Sequence, residues 1–201
     1  AKPELESGQV LVRIKAAPIN FIDTVIREGN MPPGMMPDLP FISGVEGSGI
    51  VADANDTSLE QGQKVAFLGP IGASTYAEYT AVDADKLVLL SDDANVLEAG
   101  AMPVTYFTAY HMLHNVVRAQ EDKFALVYAS TGGVGTALIQ LAKVAGLKVI
   151  ALDRKDDKVK QALEIGADFA FNSTEDWIEE VKKVTGGTGV EYLFQSRARR
   201  P

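Results

Sequence analysis

The 201-residue sequence contains no cysteine. Disulfides, a thiolate nucleophile and Cys-ligated zinc are thereby excluded, and a reducing, cytoplasmic setting is expected. Histidine is nearly as scarce, with only His111 and His114 present. They fall at i, i+3 on one expected helix; two ligands without a third make a poor metal site, so we read both as solvated or packed. Positive charge is also short: 19 Lys and Arg stand against 27 Asp and Glu, for a formal net charge of −8. Such a chain repels both a phosphate backbone and an anionic bilayer, so neither nucleic acid nor membrane is expected as a partner. No apolar run approaches bilayer length and no charged-then-apolar leader opens the chain. It begins at Ala1 without methionine and its first strand signal arrives by Gln9, so the N-terminus reads as processed or truncated. Repeats and low-complexity segments are missing as well.

What is present centres on one stretch. Phe124 to Ala129 is an uninterrupted apolar run, the pattern of a strand buried on both faces. After Gly135 the period changes. Val134, Ala137, Leu138, Leu141 and Ala145 recur at helical spacing, Gln140 and Lys143 point away, and Gly146 closes the helix. Between strand and helix lies Ser130-Thr131-Gly132-Gly133-Val134-Gly135, a G-x-G-x-x-G with serine in the first position. Gly132 would let backbone approach a pyrophosphate, Gly135 would let the helix pack close to the sheet, and the helix N-terminus would offer N–H groups to phosphates. By itself the turn is equally compatible with binding nothing.

The following residues add weight. Lys148 to Leu152 is a second buried strand ending at Asp153. An acid closing the second strand is the usual ligand of a ribose 2′-hydroxyl, and it repels the extra phosphate of NADP. Arg154, Lys155 and Lys158 follow and would attract that phosphate. Each has a plainer reading, Asp153 as a cap of the next helix and the cations as a solvated face. The residues lean slightly towards NADH over NADPH. A helix over Asp156–Ile165 places Val159, Ala162 and Leu163 inward, and Asp168–Phe171 is a third strand. Asn172 or Ser173 is expected to cap a helix with Glu175 and Asp176 in its first turn and Lys182 and Lys183 in its last. Its apolar face is Trp177, Ile178, Val181 and Val184, and Val190–Phe194 is a fourth strand. This alternation predicts a doubly wound parallel sheet.

Upstream the pattern is different. Gln9–Ala16 alternates with Val10, Val12 and Ile14 on one face, and Asn20 is placed to cap a short helix carrying Phe21, Val25 and Ile26. Four prolines between Asn30 and Pro40 predict a loop, its methionines serving as a lid, a pocket wall or simple gap-filling. Gly44–Val51, Val65–Leu68, Thr75–Ala81 and Lys86–Leu90 read as short strands of a compact β-rich domain. A weak helix over Asn95–Ala101 and a longer one from Pro103 to about Val117 follow. The boundary is expected near residue 120, giving domains 1–120 and 121–201.

Taken in order, Val10 to Thr24, Gly44-Val-Glu-Gly-Ser-Gly-Ile-Val51, Tyr76-Ala-Glu-Tyr79, Tyr106-Phe-Thr108-Ala-Tyr-His111 and Ala129 to Gly135 resemble a medium-chain dehydrogenase/reductase, closest to the zinc-free quinone oxidoreductase (zeta-crystallin-like) branch. The resemblance implies an α/β chain: a GroES-like β-rich domain followed by a Rossmann doubly wound parallel sheet. The alcohol dehydrogenases of that superfamily carry zinc-ligating cysteine and histidine where this chain has Asn20 and Val45, so no catalytic zinc is implied. Without a Lewis acid, quinones and enones are the acceptors whose delocalised negative charge needs only hydrogen-bond donors. Residues matching Asn20 and Thr108 lie by the nicotinamide and substrate in that branch, which more often uses NADPH. Asn20 also has its reading as a cap, and Thr108 as an ordinary helix residue. Met31 replaces a tyrosine of some relatives, which argues against an enoyl-thioester reductase. Where relatives show an acid, a small residue and a glycine after the fourth strand, this chain has Gln195-Ser196-Arg-Ala-Arg-Arg-Pro201. The Rossmann sheet is therefore expected to be incomplete, with Ser196–Pro201 a tail or a truncation. The expectation is a metal-free NAD(P)H-dependent reductase of a small quinone or enone, its oligomeric state open. The alternative is a non-catalytic dinucleotide-binding or structural fragment of such an enzyme.

Overall fold

The computed structural model describes residues 2–195, so the expectation for Ser196–Pro201 lies outside the described residues. The chain divides into two compact units, Ala1–Val104 and Thr105–Pro201.

In the first unit β1 (Gln9–Ala16), β2 (Glu46–Asp53), β3 (Lys64–Leu68), β4 (Tyr79–Asp83) and β5 (Leu87–Leu89) form one sheet in the order β4-β1-β2-β3-β5. Every pairing is antiparallel. Val10 and Val12 are fully buried with Val51, Val65, Phe67 and Val82, while Arg13 and Lys15 face outward, as the alternation of β1 predicts. Register shifts in the β1–β2 pairing bend the sheet. Glycines supply the close approach: a Cβ on Gly49 would stand 2.2 Å from the Arg13 carbonyl oxygen. One strand differs from expectation. Thr75 and Tyr76 do not belong to β4; their N–H groups donate to the carbonyls of Gly44 and Ser43, and pairing with β1 starts only at Tyr79. Residues 30–40 hold no helix or strand, as their prolines require. The α-helices are α1 (Phe21–Arg27) and α2 (Val96–Gly100), the latter capped by the Asn95 side chain, and a single 3-10 turn spans Ala84–Lys86.

The units divide within the first turn of α3 (Pro103–Tyr110), earlier than the boundary expected near residue 120. Ala109 and Leu113 are fully buried among Ala125, Val127 and Leu138, so this helix shares the second unit's core. Nor is the helix uniform to Val117. It widens into a π-helical turn over His111–Val116, where His111 Nδ1 pairs with the Asn115 amide at 3.0 Å and the His114 ring packs on Tyr110.

In the second unit β6 (Phe124–Tyr128), α4 (Gly133–Val144), β7 (Lys148–Asp153), α5 (Asp156–Ile165), β8 (Phe169–Asn172), α6 (Trp177–Val184) and β9 (Tyr192–Gln195) alternate. The parallel sheet has the order β8-β7-β6-β9. Its strands are apolar on both faces because each face has its own core. Ala125, Val127, Val149 and Ala151 pack with Ala137, Leu138 and Ala142 of α4 and Ala162 of α5. Leu126, Ile150 and Leu152 pack with Trp177, Val181 and Val184 of α6 on the other side. Leu163, expected inward, is 47% exposed; Ile165 packs against the core instead. The start of α6 also differs. Asn172 Oδ1 accepts from Thr174 in the preceding turn, Asp176 is the cap position, and the first-turn acids are Glu179 and Glu180 rather than Glu175 and Asp176. Ile178 lies on its exposed side.

Candidate functional site

The order of the parallel sheet reverses at β6, with β7 on one side and β9 on the other. Ligands of open α/β sheets sit beyond the carboxyl ends of the strands at such a point. The glycine turn begins there. Ala129 leaves β6 with φ 51°, a left-handed conformation uncommon for a residue with a side chain. Ser130 follows, completely buried. Gly132 is the N-cap of α4 and carries no capping side chain, so the first-turn N–H groups of Gly133, Val134 and Gly135 have no intrahelical acceptor. One of the glycines is sterically required by backbone. A Cβ on Gly135 would lie 2.4 Å from the Ala129 carbonyl oxygen and 2.7 Å from that of Ser130. One on Gly133 would meet the Thr105 methyl at 2.8 Å. Gly132 is less crowded, its nearest neighbour being the Ala129 oxygen at 3.3 Å. Backbone N–H groups bare of side chains at a helix start fit the phosphates of a dinucleotide.

Asp153 ends β7, the strand beside β6. It does not cap α5, whose N-cap is Lys155 without a side-chain bond. Its Oδ2 instead accepts three hydrogen bonds from the glycine turn: Ser130 Oγ at 2.8 Å, Thr131 N at 2.9 Å and Thr131 Oγ1 at 3.0 Å. The structure thus brings Ser130, Thr131 and Asp153 together. Arg154 and Lys155 are exposed and Lys158 is half-buried. None of the three forms an ion pair with another described residue. Thr108 lies on α3 with its side chain exposed.

The first unit contains a second polar centre. Asn20 precedes α1, and Asp23 Oδ2 accepts the Asn20 backbone N–H at 2.7 Å. The Asn20 side chain faces the Asp23 N–H in a reciprocal capping box, as expected of a cap, and its Nδ2 donates to Glu46 Oε1 at 2.6 Å. The other Glu46 oxygen accepts the Val104 N–H, also at 2.6 Å. Glu46 is 1% exposed. Desolvation raises its carboxyl pKa above the usual value, the bonds from Val104 and Asn20 opposing the shift and the Asp23 charge adding to it. Tyr76 donates to Asp23 Oδ2 at 2.9 Å, with the Pro18 carbonyl oxygen at 3.1 Å. Burial, followed by the bond to Asp23 and the charges of Asp23 and Glu46, pushes Tyr76 up to about 12. Beside Asn20 stand two exposed apolar side chains, Ile19 at 83% and Phe21 at 71%. Val45 is buried and Met31 half-buried. Among the described residues no group of three His, Cys, Asp or Glu is placed to hold a metal ion.

Sequence reasoning reached Asn20 but missed Asp23, Glu46 and Tyr76 as parts of a site. Glu46 had a usable signal. It is a carboxylate within the glycine and apolar residues of a strand, and an acid buried there must find donors.

Comparison with known proteins accords with both units. Residues 6–92 match the family described as alcohol dehydrogenase GroES-like domain, and residues 133–199 match zinc-binding dehydrogenase. The quinone oxidoreductase of Salmonella typhimurium is 34% identical over 192 residues, covering 94% of this chain and 57% of that protein. That of Rattus norvegicus is 30% identical, covering 98% of this chain and 60% of the relative. The crystal structure of Escherichia coli quinone oxidoreductase complexed with NADPH superposes with a TM-score of 0.85 at 33% identity, covering 99% of this chain and 60% of that one. The chain therefore spans about 60% of the length of these relatives. An antiparallel GroES-like half-barrel followed by a parallel sheet with a glycine turn at its reversal point defines a dehydrogenase-type architecture. The chain belongs to the medium-chain dehydrogenase/reductase superfamily.

Proposed function

We propose that this protein binds a nicotinamide dinucleotide and reduces a quinone or conjugated enone without a metal. The observation that carries the reading is the glycine turn at the sheet reversal, held by Asp153 and opening onto an uncapped helix N-terminus. Gly133, Val134 and Gly135 would hold the pyrophosphate through backbone N–H groups. Asp153 would accept a ribose hydroxyl at Oδ1. Bound there, the cofactor would supply a hydride. Asn20 would donate its amide N–H to the substrate oxygen on which negative charge develops. The apolar Ile19 and Phe21 beside it suit a flat, poorly hydrated substrate, and Thr108 is proposed as a further group at the reacting end. Metal independence is supported by Asn20 and Val45 standing where the superfamily's alcohol dehydrogenases carry zinc ligands.

Cofactor choice follows from the charge pattern. Asp153 already gives one oxygen to three donors of the turn, which blunts its repulsion of a 2′-phosphate. Arg154 beside it is exposed and outside any ion pair with the described residues. We therefore favour NADPH over NADH, with Arg154 and Lys158 meeting the phosphate. Turnover of a small quinone tests the reading. Dinucleotide binding with no reduction of quinone or enone would select a non-catalytic binding protein instead.

A further inference from the structure

A buried carboxyl group with no cation beside it is an expensive feature. Glu46 is such a group: nearly inaccessible on β2, and in no ion pair among the described residues. Its neighbours are the Asn20 amide, the Val104 N–H, and two further acids, Asp23 and Tyr76. Both carboxyl oxygens are used, at 2.6 Å each. What this arrangement specifies is direction. An ionised carboxylate only accepts, so it admits the Asn20 amide with nitrogen towards it and oxygen away. Without that partner the amide would be oriented only by the Asp23 N–H of the capping box, and its flipped form, of similar shape, would offer the opposite hydrogen-bonding groups. One Nδ2–H goes to Glu46, which leaves the second as a donor of fixed heading.

We infer that Glu46 is a positioning residue for Asn20, locking its amide nitrogen-inward so that Asn20 serves as a donor and not as an acceptor. The inference rests on the reading above that Asn20 acts at the reacting end. Its opposite edge, the Val104 N–H, matters for the same reason. With one oxygen held by a backbone N–H in the first turn of α3, the carboxylate is restrained from rotating to follow the amide. The Asp23 charge acts on the same group: it favours the neutral form of Glu46, and a neutral Glu46 would release the orientation by offering a donor of its own.

The test has a spectroscopic arm and a kinetic arm, both on the chain as it stands. The Asn20 side-chain amide resonances, identified by their loss in Asn20→Ser, are expected to be split widely and to shift on acidification as Glu46 protonates. In Glu46→Gln that titration disappears. Gln offers one acceptor to two donors, and its own N–H draws the Asn20 oxygen inward. Quinone kcat should then fall, by about a hundredfold if the donor is reversed, with the dinucleotide dissociation constant unchanged. Glu46→Asp keeps the charge and should retain the titrating amide signal, which also covers the case of a Gln variant that does not fold. An Asn20 signal indifferent to pH and to both substitutions would overturn the inference, as would a lost signal with unaltered kcat. A titrating signal in a wild-type chain that reduces no quinone would uphold Glu46's hold on Asn20 and sink the reductase reading alone.

Discussion

Each unit is organised around one acid that satisfies donors from distant parts of the chain, and the two acids are used differently. Asp153 gathers Ser130 and Thr131 on a single oxygen. Glu46 gives one oxygen to Asn20 and the other to Val104. The first arrangement keeps an acceptor in reserve at the mouth of the parallel sheet, where a ligand hydroxyl is proposed to bind. The second has both oxygens engaged and lies almost wholly out of solvent, so it acts only through what it holds. A ligand-facing acid and a framework acid are thus told apart by whether one whole carboxylate oxygen is left open, more than by burial alone.

The largest expected effect breaks the first arrangement at its backbone. Gly135→Ala places a Cβ 2.4 Å from the Ala129 carbonyl oxygen, a contact that only displacement of the turn relieves. We expect a loss of at least about 1–3 kcal/mol in urea unfolding and no measurable dinucleotide binding by fluorescence titration. Unimpaired binding would mean that the turn is not the phosphate site.

Asp153→Ser comes next. It removes an acceptor of three bonds, two of them from Thr131. Bonds to charged groups are worth about 1.5–3 kcal/mol, so NADH and NADPH should both bind at least about tenfold more weakly. A gain for NADPH alone would show that Asp153 discriminates between cofactors without shaping the turn.

Smaller, and specific to the second arrangement, is a pH effect. Burial raises the Glu46 pKa in the folded chain above its ordinary value of 4.5, so the folded state holds this proton more tightly than the unfolded state does. The stabilising contribution of this group is complete below the unfolded pKa and is lost as pH rises through the folded one. Comparing urea melts of wild type and Glu46→Gln from pH 7 down to 4.5 should show the difference moving in favour of wild type as acid is added. A constant difference would mean that Glu46 does not titrate abnormally.

The smallest effect belongs to the surface. Arg154→Ala should weaken NADPH by no more than about 1 kcal/mol, because the cation is exposed and screened, and should leave NADH unaffected. The NADPH difference should shrink at high salt.

Legibility in the sequence followed the range of the interactions. Local periodicity was sufficient for β1 over Gln9–Ala16 and α5 over Asp156–Ile165. The alternation from Phe124 onward likewise sufficed for the parallel sheet. It failed where a long-range partner decides. Thr75 and Tyr76 look like strand residues, yet the bend carrying Ser43 and Gly44 takes their N–H groups. Helical spacing continues past Tyr110, but the widened turn at His111–Val116 reflects packing into the core of the second unit. The same limit applies to the candidate site. The G-x-G-x-x-G letters mark the turn, and Asp153 is noticeable at the end of its strand. That the aspartate grips the turn is a bond across 22 and 23 positions, written in no local pattern. Glu46 reaches 26 positions back to Asn20 and 58 forward to Val104, so both partners had to come from the fold.

The clasp between Asp153 and the glycine turn bears on anyone who would move this motif. Ser130 to Gly135 is not a portable hexapeptide. Ala129 enters it in a left-handed conformation, and Ser130 is sealed away with its hydroxyl committed to a residue on the adjacent strand. Grafted onto another strand–helix junction, the six letters would arrive without the carboxylate that closes them, and the loop would relax to a different shape. The transferable part is a pair of neighbouring parallel strands, with the glycines on the end of one and the acid on the end of the other.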